Sequence, residues 1–584
     1  MKHNGLELRK GKGNTGDIVV DTLINHGIDN MVEYTHIDMS NVPLLNPSTL
    51  NNIDLAFSRL QEAIDKNQSI GILVDGDADG FASASLLYQG LSKLTEKVTI
   101  FTNDIKSHGL APVMDEVIQS NFDLLFTPDA SSNDIEYHKI LSEKGVDVIA
   151  LDHHIINDES DVKETPAIIV NNQNNNNQDT NTNYVGVGMV YLFLRYINEQ
   201  THAFKNMDEF LPLFALGQIT DMSDISDPEI KAQVDKGLSL MVKHPLFRYF
   251  TKDVVPSAHK VSFEIAPKIN AVARIGSGEE RLNLLFAMAE DENEYDTQVF
   301  NKRKKNPKTG LMESKPVTLN PYQIETDEML RIKRRQDNLV KKVVEGLDYL
   351  SEKKNGLIIA KLDNDTPSAV TGLLANRIIS KTQTPAMVIK ESDENKEAFI
   401  GSMRCPGEFE FRSWLNDTGV VKSSGHEQAA GVEGLFGDLN NLLSESKNLD
   451  ISKSYYDVDA IFNEYSASDK PIKEINQSVA LFGGKIKEPV IGYTAIPINK
   501  NHINVKNSVI KFSYNKINFI MFNGADFVNW LMDSGFKNEF YFDIVGSAGE
   551  NTWQGRTETQ VIIKDIALSN QAKVRIETPE DLVF

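Results

Sequence analysis

Short apolar runs alternate with amphipathic stretches from about residue 52 to residue 240 of the chain. The runs "SIGILVD", "KVTIFT", "FDLLFTPD" and "VDVIALD" have the length and composition of buried strands, and the stretches between them are typical of helices. Alternation of this kind predicts right-handed crossovers and a mostly parallel sheet. Because ligands of such sheets bind beyond the carboxyl ends of the strands, the residues that follow each run are the first candidates for function.

The rest of the chain shows other patterns. Apolar residues recur at three- and four-residue steps from about residue 325 to residue 352, which predicts a long amphipathic helix with a basic outer face. The last part contains short strands rich in Phe, Tyr, Ile and Val, which is typical of a small β-barrel. The predicted segments are an N-terminal extension (1–50), a first α/β domain (51–320), a connecting helix (321–355), a second α/β domain (356–454) and a β-barrel domain (455–584).

The length of the chain indicates how many domains it has, and its cysteine content indicates which kinds of cross-link and metal site it lacks. A chain of 584 residues is too long for one hydrophobic core, so several domains are expected. The single cysteine, Cys405, excludes a disulfide framework and a cysteine-based zinc site, and it fits a reducing cytoplasm. The N-terminal stretch lacks the apolar region of a signal peptide, and no apolar run approaches the roughly 20 residues that span a bilayer. We therefore expect a cytoplasmic protein without a membrane segment.

The formal net charge of −23 argues against a polyanionic partner, because contacts to phosphates usually need a basic surface. Net charge is a sum over the whole chain, however, and two basic clusters stand out: "NKRKKNPK" (Asn301 to Lys308) and "RIKRR" (Arg331 to Arg335). A nucleic-acid partner therefore stays possible. The polar low-complexity stretch from Asn171 to Asn183 predicts a surface loop.

Carboxylates and histidines follow the apolar runs. In a parallel sheet these strand ends share one edge, so residues far apart in sequence converge there. Carboxylate and imidazole ligands without thiolate suit Mn²⁺ or Mg²⁺ better than a structural zinc. Several carboxylates repel one another unless cations neutralise them, and a pair of divalent ions would do so while activating water against a phosphoryl group. The candidates are Asp75, Asp77 and Asp79 after the first run, Asp129, then Asp152, His153 and His154, and finally Asp221 just past an apolar segment.

Each of these short motifs, taken alone, has a simpler interpretation than a metal site. "DGDADG" fits a solvated turn or a calcium-like loop, and a pair of histidines after a strand is more often part of a core or a surface. The specific signal is the joint occurrence of these residues at successive strand ends.

Four motifs, "DGDADG", "TPDASS", "LDHH" and "ITD", resemble those of the DHH phosphoesterase superfamily. The segment "APKINAVARIG" resembles one in RecJ-type nucleases, and "SSGHEQAAGV" resembles the signature of the DHHA1 domain. The stretches "LFGGKIKEPVIG" and "NTWQGRTETQVIIKDI" resemble parts of the RecJ OB-fold. The resemblance runs from about residue 55 to about residue 570 in the domain order of RecJ, and it includes phage-type members of the family.

This resemblance implies an α/β protein: a DHH domain with a mostly parallel sheet, a long connecting helix, an α/β DHHA1 domain and a C-terminal OB-fold β-barrel. It implies two Mn²⁺ or Mg²⁺ ions, with Asp129 as the bridging ligand. Asp75 would be a ligand or would orient a ligand or a water, Asp152 would orient its neighbours, and His154 would contact the scissile phosphate. The implied metal ligands are Asp77, Asp79, Asp129, His153 and Asp221. The implied substrate-binding residues are His108, Arg274, Ser402, Arg404, Gly425 and His426.

The sequence departs from the family pattern at informative positions. Leu73 stands where other DHH branches carry a metal-binding histidine, which fits RecJ and argues against the pyrophosphatase branch. Ala130 and Ser131 stand where relatives usually have Cys or Asn and then Gly, which predicts an altered turn after Asp129.

The function implied by the resemblance is 5′→3′ exonucleolytic hydrolysis of single-stranded DNA to mononucleotides by a metal-activated water, in DNA recombination, repair or replication. A single-strand-binding protein or a helicase would be a partner, the chain would be a monomer, and a phage-encoded version would act in the host cytoplasm. Two alternatives remain: a DHH phosphodiesterase that acts on short oligoribonucleotides or cyclic dinucleotides, and a non-catalytic RecJ-like replication scaffold. Residues of the OB-fold that could stack on bases, or equally form its core, are Tyr493, Phe512, Tyr514 and Phe519.

Overall fold

The structure, a computed structural model, divides the chain into two compact units. Unit I comprises Ile37–Gly346 and Thr366–Val370; unit II comprises Met1–His36, Leu347–Asp365 and Thr371–Phe584. The structure describes residues 5–102, 109–157, 164–173, 180–290, 298–305, 312–351, 356–392, 395–407, 409–447, 449, 455–506, 509–522, 524, 527, 539–553 and 556–569. His108 and residues 174–179 of the predicted surface loop lie outside these residues.

Strands and helices are numbered along the chain. The strands are β1 (Leu8–Lys10), β2 (Ile70–Leu73), β3 (Val98–Phe101), β4 (Leu124–Pro128), β5 (Asp147–Asp152), β6 (Ile168–Asn171), β7 (Gln298–Lys305), β8 (Met312–Leu319), β9 (Asp348–Tyr349), β10 (Ile358–Lys361), β11 (Ala386–Glu391), β12 (Ala398–Arg404), β13 (Val421–His426), β14 (Ala429–Leu435), β15 (Tyr456–Val458), β16 (Ala460–Asn463), β17 (Val490–Asn499), β18 (Asn504–Lys506), β19 (Val509–Tyr514), β20 (Ile517–Met521), β21 (Glu539–Trp553) and β22 (Arg556–Leu568). The helices are α1 (Ile18–Asn25), α2 (Met31–Thr35), α3 (Ile53–Asp65), α4 (Ala78–Leu91), α5 (Met114–Gln119), α6 (Ile135–Glu143), α7 (Gly186–Thr201), α8 (Leu211–Thr220), α9 (Pro228–Met241), α10 (Arg248–Thr251), α11 (Ala258–Lys260), α12 (Ala266–Ile275), α13 (Gly278–Met288), α14 (Pro321–Glu345), α15 (Thr371–Thr382), α16 (Phe411–Asp417), α17 (Leu439–Ser446) and α18 (Lys470–Gln477), with a π-helical turn at Val261–Ile265 between α11 and α12.

Unit I is built on a five-stranded parallel sheet in the order β3-β2-β4-β5-β6. All residues of β2 and β4 are buried, which explains why these strands read as continuous apolar runs. Helices α4, α7 and α8 pack together beside the sheet, and their aromatic side chains form much of the core. The predicted mostly parallel sheet is therefore confirmed, and the carboxyl ends of β2, β4 and β5 are neighbours at one edge.

The long helix of unit I begins at Pro321, where the Asn320 side chain accepts a hydrogen bond from the Gln323 amide, and it ends at Glu345. Its predicted continuation toward residue 352 is wrong, because Asp348–Tyr349 pairs as a strand with β10. Its basic face is partly neutralised: Arg331 and Arg335 form ion pairs of 2.7 and 2.8 Å with Glu280 on α13.

Unit II contains a six-stranded sheet in the order β13-β14-β12-β11-β10-β9. Phe411 and Leu415 of α16 and the leucines of α17 pack on one face of this sheet against Phe399 and Met403 of β12. Ser402 and Arg404 alternate with these residues along β12 and so belong to the opposite face, where α15 lies. The predicted return of strand–helix alternation after the long helix is confirmed.

A seven-stranded sheet in the order β16-β17-β21-β22-β20-β19-β18 completes unit II. Among the described strands this order is open, so the closed barrel predicted from the sequence is not formed by them. The N-terminal strand β1 pairs in parallel with β15, and the Asn25 amide donates a 2.8 Å hydrogen bond to Asp459. Residues near the N-terminus therefore pack on this sheet, which their sequence did not predict.

The aromatic residues of this sheet are mostly core. Tyr493, Phe512 and Phe519 are at most 2% exposed and pack on one another, with ring centroids 5.1 and 5.2 Å apart. Tyr514 is partly exposed, and its hydroxyl donates to the Glu464 carbonyl at 2.9 Å. Of the four predicted stacking residues, only Tyr514 is accessible. None of the helices in the described part of the chain is long and apolar enough to cross a membrane.

Candidate metal centre

Three carboxylates stand at the edge of the parallel sheet because of the way three neighbouring strands end. Asp75 follows β2, Asp129 directly follows β4, and Asp152 is the last residue of β5. Oxygen atoms of Asp75, Asp77 and Asp129 lie within 4.8 Å of one another, as do ligand atoms of Asp129, Asp152, His153 and His154. The convergence predicted from the strand ends is therefore present in the structure.

Asp77 and Asp79 are held by the beginning of α4. Asp77 is the N-cap residue, and its carboxylate accepts hydrogen bonds of 3.0 Å from the amides of Asp79 and Gly80. The first amides of a helix have no partner within the helix, so these two bonds fix the orientation of the Asp77 side chain. Asp79 points the other way into the protein, is 2% exposed, and accepts a 3.2 Å hydrogen bond from the Val187 amide.

Glycines on two other helices make room for the buried carboxylates. A Cβ atom at Gly217 of α8 would lie 2.1 Å from Asp79 Oδ1, and one at Gly186 of α7 would lie 2.3 Å from Asp129 Oδ1. Both distances are far below van der Waals contact, so neither position accepts a side chain without moving a carboxylate. Asp129 itself has a φ of +63°, a left-handed conformation that a non-glycine residue rarely adopts.

Asp221 reaches the site from the C-terminal end of a helix. It follows α8 directly, and its amide donates to the Gly217 carbonyl at 3.0 Å. His153 Nε2 lies 3.2 Å from Asp129 Oδ1 and 3.6 Å from Asp221 Oδ2. Ligand atoms of Asp79, His153 and Asp221 lie within 4.8 Å of one another, so this histidine belongs to two overlapping clusters.

Asp152 and His154 form a hydrogen-bonded pair. His154 Nδ1 donates to Asp152 Oδ1 at 2.7 Å, and the second oxygen of Asp152 accepts a 3.0 Å bond from the Ser132 amide. Asn171, at the end of β6, donates to Ser132 Oγ and to the His154 carbonyl, each at 2.9 Å. Ser132 and Asn171 thus fix the pair in place. Neither residue is among those predicted from the sequence, although Asn171, like Asp152, is the last residue of a strand.

Burial and mutual repulsion raise several carboxyl pKa values. Burial, followed by the charge of a neighbouring carboxylate, raises the pKa of Asp79 and of Asp129 well above the usual range. The same two causes raise the pKa of Asp221 to about 7, with Asp77 as the neighbour. These shifts show that the cluster does not hold all its negative charges at neutral pH without a compensating cation.

The two histidines of the site, His153 and His154, differ in pKa and therefore in charge. Burial, followed by the charge of His154, lowers the pKa of His153 to about 4, so His153 is a neutral imidazole that can bind a metal ion. The hydrogen bond to Asp152 raises the pKa of His154 to about 9, so His154 is a cation at neutral pH. Burial opposes the charge on Asp152, but its bond with His154 holds the pKa of Asp152 well below the usual range.

The residues at this edge fit divalent cations. Asp79 Oδ2 and Asp129 Oδ1 are buried and accept no hydrogen bond from the described residues. Buried charged oxygens without a partner are costly, and a cation is the partner that such oxygens ordinarily have. Carboxylate oxygens with one neutral imidazole are the ligand set of Mn²⁺ and Mg²⁺ sites. The simpler interpretation, a solvated acidic turn, does not fit Asp75, Asp79 and Asp129, each of which is at most 4% exposed.

The predicted phosphate-binding residues divide between the two units. Arg274 lies in the last turn of α12 in unit I, and α12 packs against α4, whose N-cap residue is Asp77. Burial lowers the pKa of Arg274, and the charge of Asp77 opposes that shift. In unit II, Ser402 Oγ hydrogen-bonds Thr371 Oγ1 at 2.8 Å where α15 begins. A Cβ at Gly372 would lie 2.5 Å from an Arg404 guanidinium nitrogen, so Arg404 also lies against this helix end.

Gly425 and His426 lie at the exposed turn between β13 and β14. Gly425 has a φ of +126°, which glycine adopts without strain. The next residue, Glu427, accepts hydrogen bonds from Arg412 Nε at 3.0 Å and from Ser413 Oγ at 2.8 Å, which ties the turn to the start of α16. This attachment of His426 through Glu427 could not be read from the sequence.

Comparison with known proteins agrees with these domains. Residues 69–218 match the DHH family, N-terminal domain, and residues 458–565 match the RecJ OB domain. YorK of Bacillus subtilis (strain 168), an SPbeta prophage-derived protein named as a single-strand DNA-specific exonuclease, is 27% identical over 576 residues, which cover 94% of this chain and 96% of YorK. The single-stranded-DNA-specific exonuclease RecJ of the same organism is 24% identical over 583 residues, covering 94% of this chain and 68% of RecJ.

Solved structures show the same fold. The crystal structure of RecJ in complex with Mn²⁺ from Thermus thermophilus matches with a TM-score of 0.69 and 18% identity, covering 97% of this chain and 79% of that one. The Mg²⁺ complex of the same protein matches with a TM-score of 0.64 and 18% identity, covering 97% and 78%. The chain is therefore similar to RecJ in fold, and two of its segments match the DHH family, N-terminal domain, and the RecJ OB domain.

Proposed function

We propose that this chain is a divalent-metal-dependent exonuclease that hydrolyses single-stranded DNA to mononucleotides in the 5′→3′ direction. The observation that carries the proposal is the group of buried carboxylates at the edge of the parallel sheet, two of which have an oxygen without a hydrogen bond from the described residues. The names of YorK and RecJ support the choice of single-stranded DNA as the substrate.

In this proposal five residues would hold two Mn²⁺ or Mg²⁺ ions: Asp77, Asp79, Asp129, His153 and Asp221. When bound, such ions lower the pKa of a water molecule and neutralise the charge that develops on a phosphoryl group. Asp129 is the residue best placed to bind both ions, because its oxygens belong both to the cluster with Asp75 and Asp77 and to the cluster with His153.

Other residues of the chain would bind and orient the phosphodiester. His154 is protonated at neutral pH, and its bond to Asp152 uses Nδ1, so Nε2 is left to donate to a phosphate oxygen. Arg274 offers a planar set of donors suited to bidentate phosphate contacts. Asp152 keeps the His154 ring oriented and stabilises its charge, as carboxylates do for catalytic imidazoles.

The residues of unit II would select the end of the strand. Ser402 and Arg404, at the start of α15, would bind the 5′ phosphate, because a helix N-terminus and a guanidinium both favour an anion. His426 would reach the scissile phosphate, and His108 is proposed as a further contact. The enzyme would act as a monomer in the cytoplasm, in recombination, repair or replication, with a single-strand-binding protein or a helicase as partner.

An exonuclease assay tests the proposal. Single strands of DNA and RNA labelled at either end are incubated with the chain, with and without Mn²⁺, and products are followed in time. We expect mononucleotides from single-stranded DNA, beginning at the 5′ end, only with the metal. Asp129→Asn should abolish the activity, whereas Asp147→Asn, at the exposed far end of β5, should retain it. Metal-dependent cleavage confined to short oligoribonucleotides or cyclic dinucleotides would replace the substrate assignment, and binding without cleavage would favour a scaffold.

A further inference from the structure

An exposed aromatic pair stands on the helical segment that leads to Arg274. Phe263 is 69% exposed, and its ring stacks on that of His259, with centroids 4.4 Å apart and planes inclined by 31°. Phe263 lies in the π-helical turn Val261–Ile265, a type of turn that is rare and is frequently found at functional sites. A phenylalanine held this far in solvent contributes little to the core, so its position needs another explanation.

The pair lies in line with the candidate metal centre. Phe263, Pro267, Asn270 and Arg274 are spaced i, i+4, i+7 and i+11, which places them on one face of the continuous helical segment, and each is at least partly accessible. The stripe therefore offers an exposed aromatic ring and, eleven residues further on, a guanidinium on α12, the helix that packs against α4, whose N-cap residue is Asp77.

The length of the stripe sets how much substrate it spans. Eleven residues separate Phe263 from Arg274, which corresponds to about 16 Å at about 1.5 Å per residue. A stacked strand advances about 3.4 Å per nucleotide, so this distance covers at most about five nucleotides. A substrate phosphate at Arg274 would place a base only a few nucleotides away beside Phe263.

The surroundings favour a base over an apolar protein segment. Charged residues stand close to Phe263 in sequence: Lys260 is three positions before it and Glu264 directly follows it. Lys268 Nζ lies 5.5 Å from the centre of the Phe250 ring and adds a positive charge beside the stripe. A single aromatic platform with nearby cations is the arrangement by which proteins bind single-stranded nucleic acid without sequence preference.

We propose that Phe263 and His259 form a stacking platform for a base of the single-stranded substrate, downstream of the phosphate held at Arg274. The platform rests on the proposed function in that its occupant is a single strand of nucleic acid. The platform would give unit I its own contact to the nucleic-acid strand, separate from the contacts of the OB domain.

Binding and kinetics of the full-length chain test the platform with oligodeoxythymidylates of two to twelve nucleotides. Phe263→Ala should weaken binding of an eight-nucleotide strand about 5- to 150-fold, the range expected from losing one stacked base. The weaker binding of Phe263→Ala should raise KM and leave kcat unchanged. The difference from the wild-type chain should grow with the length of the strand up to about five nucleotides, because shorter strands do not reach from Arg274 to the ring. Phe263→Trp should restore binding, since indole also stacks. The matched control is Leu55→Ala, a 53% exposed apolar residue on α3 of the same unit, which should leave both constants unchanged.

Equal affinities of Phe263→Ala and the wild-type chain for the eight-nucleotide strand would overturn the platform, as would a loss independent of strand length. Binding is measured without a divalent cation, so it does not require cleavage. A chain that binds strands with the expected dependence on Phe263 but cleaves none would disprove the proposed exonuclease activity and keep the platform.

Discussion

Gly217 offers a sharp test of whether Asp79 is a metal ligand. An alanine Cβ at this position would lie 2.1 Å from Asp79 Oδ1, whereas ordinary contacts begin at 3.4 Å. The carboxylate would have to shift by more than about 1 Å, and this shift moves its other oxygen, Oδ2, beyond the tolerance of about 0.2 Å in metal–ligand distances. Gly217→Ala therefore displaces the Asp79 carboxylate, and presses on Val187, whose amide holds Oδ1, without changing the charge or the ionisable groups of the site.

The effect on folding should be modest. Overpacking a core by one methyl group costs about 1–3 kcal/mol, and alanine in place of glycine inside a helix returns about 1 kcal/mol. The free energy of unfolding should thus fall by about 0–2 kcal/mol. Gly188→Ala in α7 is the matched control, because the three atoms nearest to its Cβ, one of Gln218 at 2.5 Å and two of Tyr184 at 2.7 and 2.9 Å, belong to no candidate ligand.

The effect on metal binding should be much larger. Mutations that disturb a ligand's position cost about 10–100-fold in metal affinity. At Mn²⁺ equal to about 100 times the wild-type dissociation constant, the ion stabilises the fold by about 2.7 kcal/mol, and a site about 100-fold weaker leaves about 0.4 kcal/mol. Urea unfolding of the full chain, with and without Mn²⁺, measures this difference directly.

The two alanine variants separate the alternatives. Gly217→Ala should lose most of the Mn²⁺-dependent stabilisation, and Gly188→Ala should keep it despite a similar steric cost. If Gly217→Ala kept the full Mn²⁺-dependent stabilisation, Asp79 would not be a ligand, and the assignment of both ions would have to change.

Three further changes test other parts of the structure. Ser131 has a φ of +84° and donates a 2.7 Å hydrogen bond to Asp134, so Ser131→Gly, which relieves the backbone strain, should unfold with about 1 kcal/mol more free energy than Ser131→Ala, as measured in urea. Burial lowers the pKa of His244 from 6.5 to about 4, so the neutral imidazole contributes stability that is fully present above pH 6.5. The free energy of unfolding should therefore fall by about 2 kcal/mol between pH 6.5 and pH 5, and His244→Gln should flatten that part of the stability–pH curve. Glu427→Ala should raise the KM for single strands by freeing the turn that carries His426, and exchanging Glu427 with its partner Arg412 should restore part of the loss.

The sequence predicted the strand-end residues well because two local signals were enough. Continuous apolar runs marked the buried strands, and alternation with helices fixed their parallel direction, which brings Asp75, Asp129 and Asp152 to one edge. Leu73, which is 4% exposed and packs in the core beneath the site, fits the apolar role expected of it.

Other features depend on contacts between distant segments. Gly217 is required because α8 packs against the beginning of α4, and nothing in the sequence near Gly217 indicates that Asp79 will lie there. The same limit applies to the aromatic residues. Phe512 and Phe519 lie in strands whose apolar and polar residues alternate, and this pattern does not tell which face is buried; the packed sheet shows that both residues are buried. Phe263, a few residues before the motif that contains Arg274, is by contrast exposed, and no local pattern distinguishes it from a core phenylalanine.

Two departures from local rules that also occur elsewhere in the chain are found together at the candidate site. Asp129 and Ser131 both have positive φ values without being glycine, and Asp79 and Asp129 bury carboxylate oxygens that accept no hydrogen bond from the described residues. Left-handed backbone of this kind costs about 1–3 kcal/mol per residue, and unpaired buried charge costs more. Selection for stability alone would remove such features, whereas a bound divalent cation offsets the cost of the buried charges. The buried carboxylate oxygens that accept no hydrogen bond are therefore better explained by metal binding than by folding.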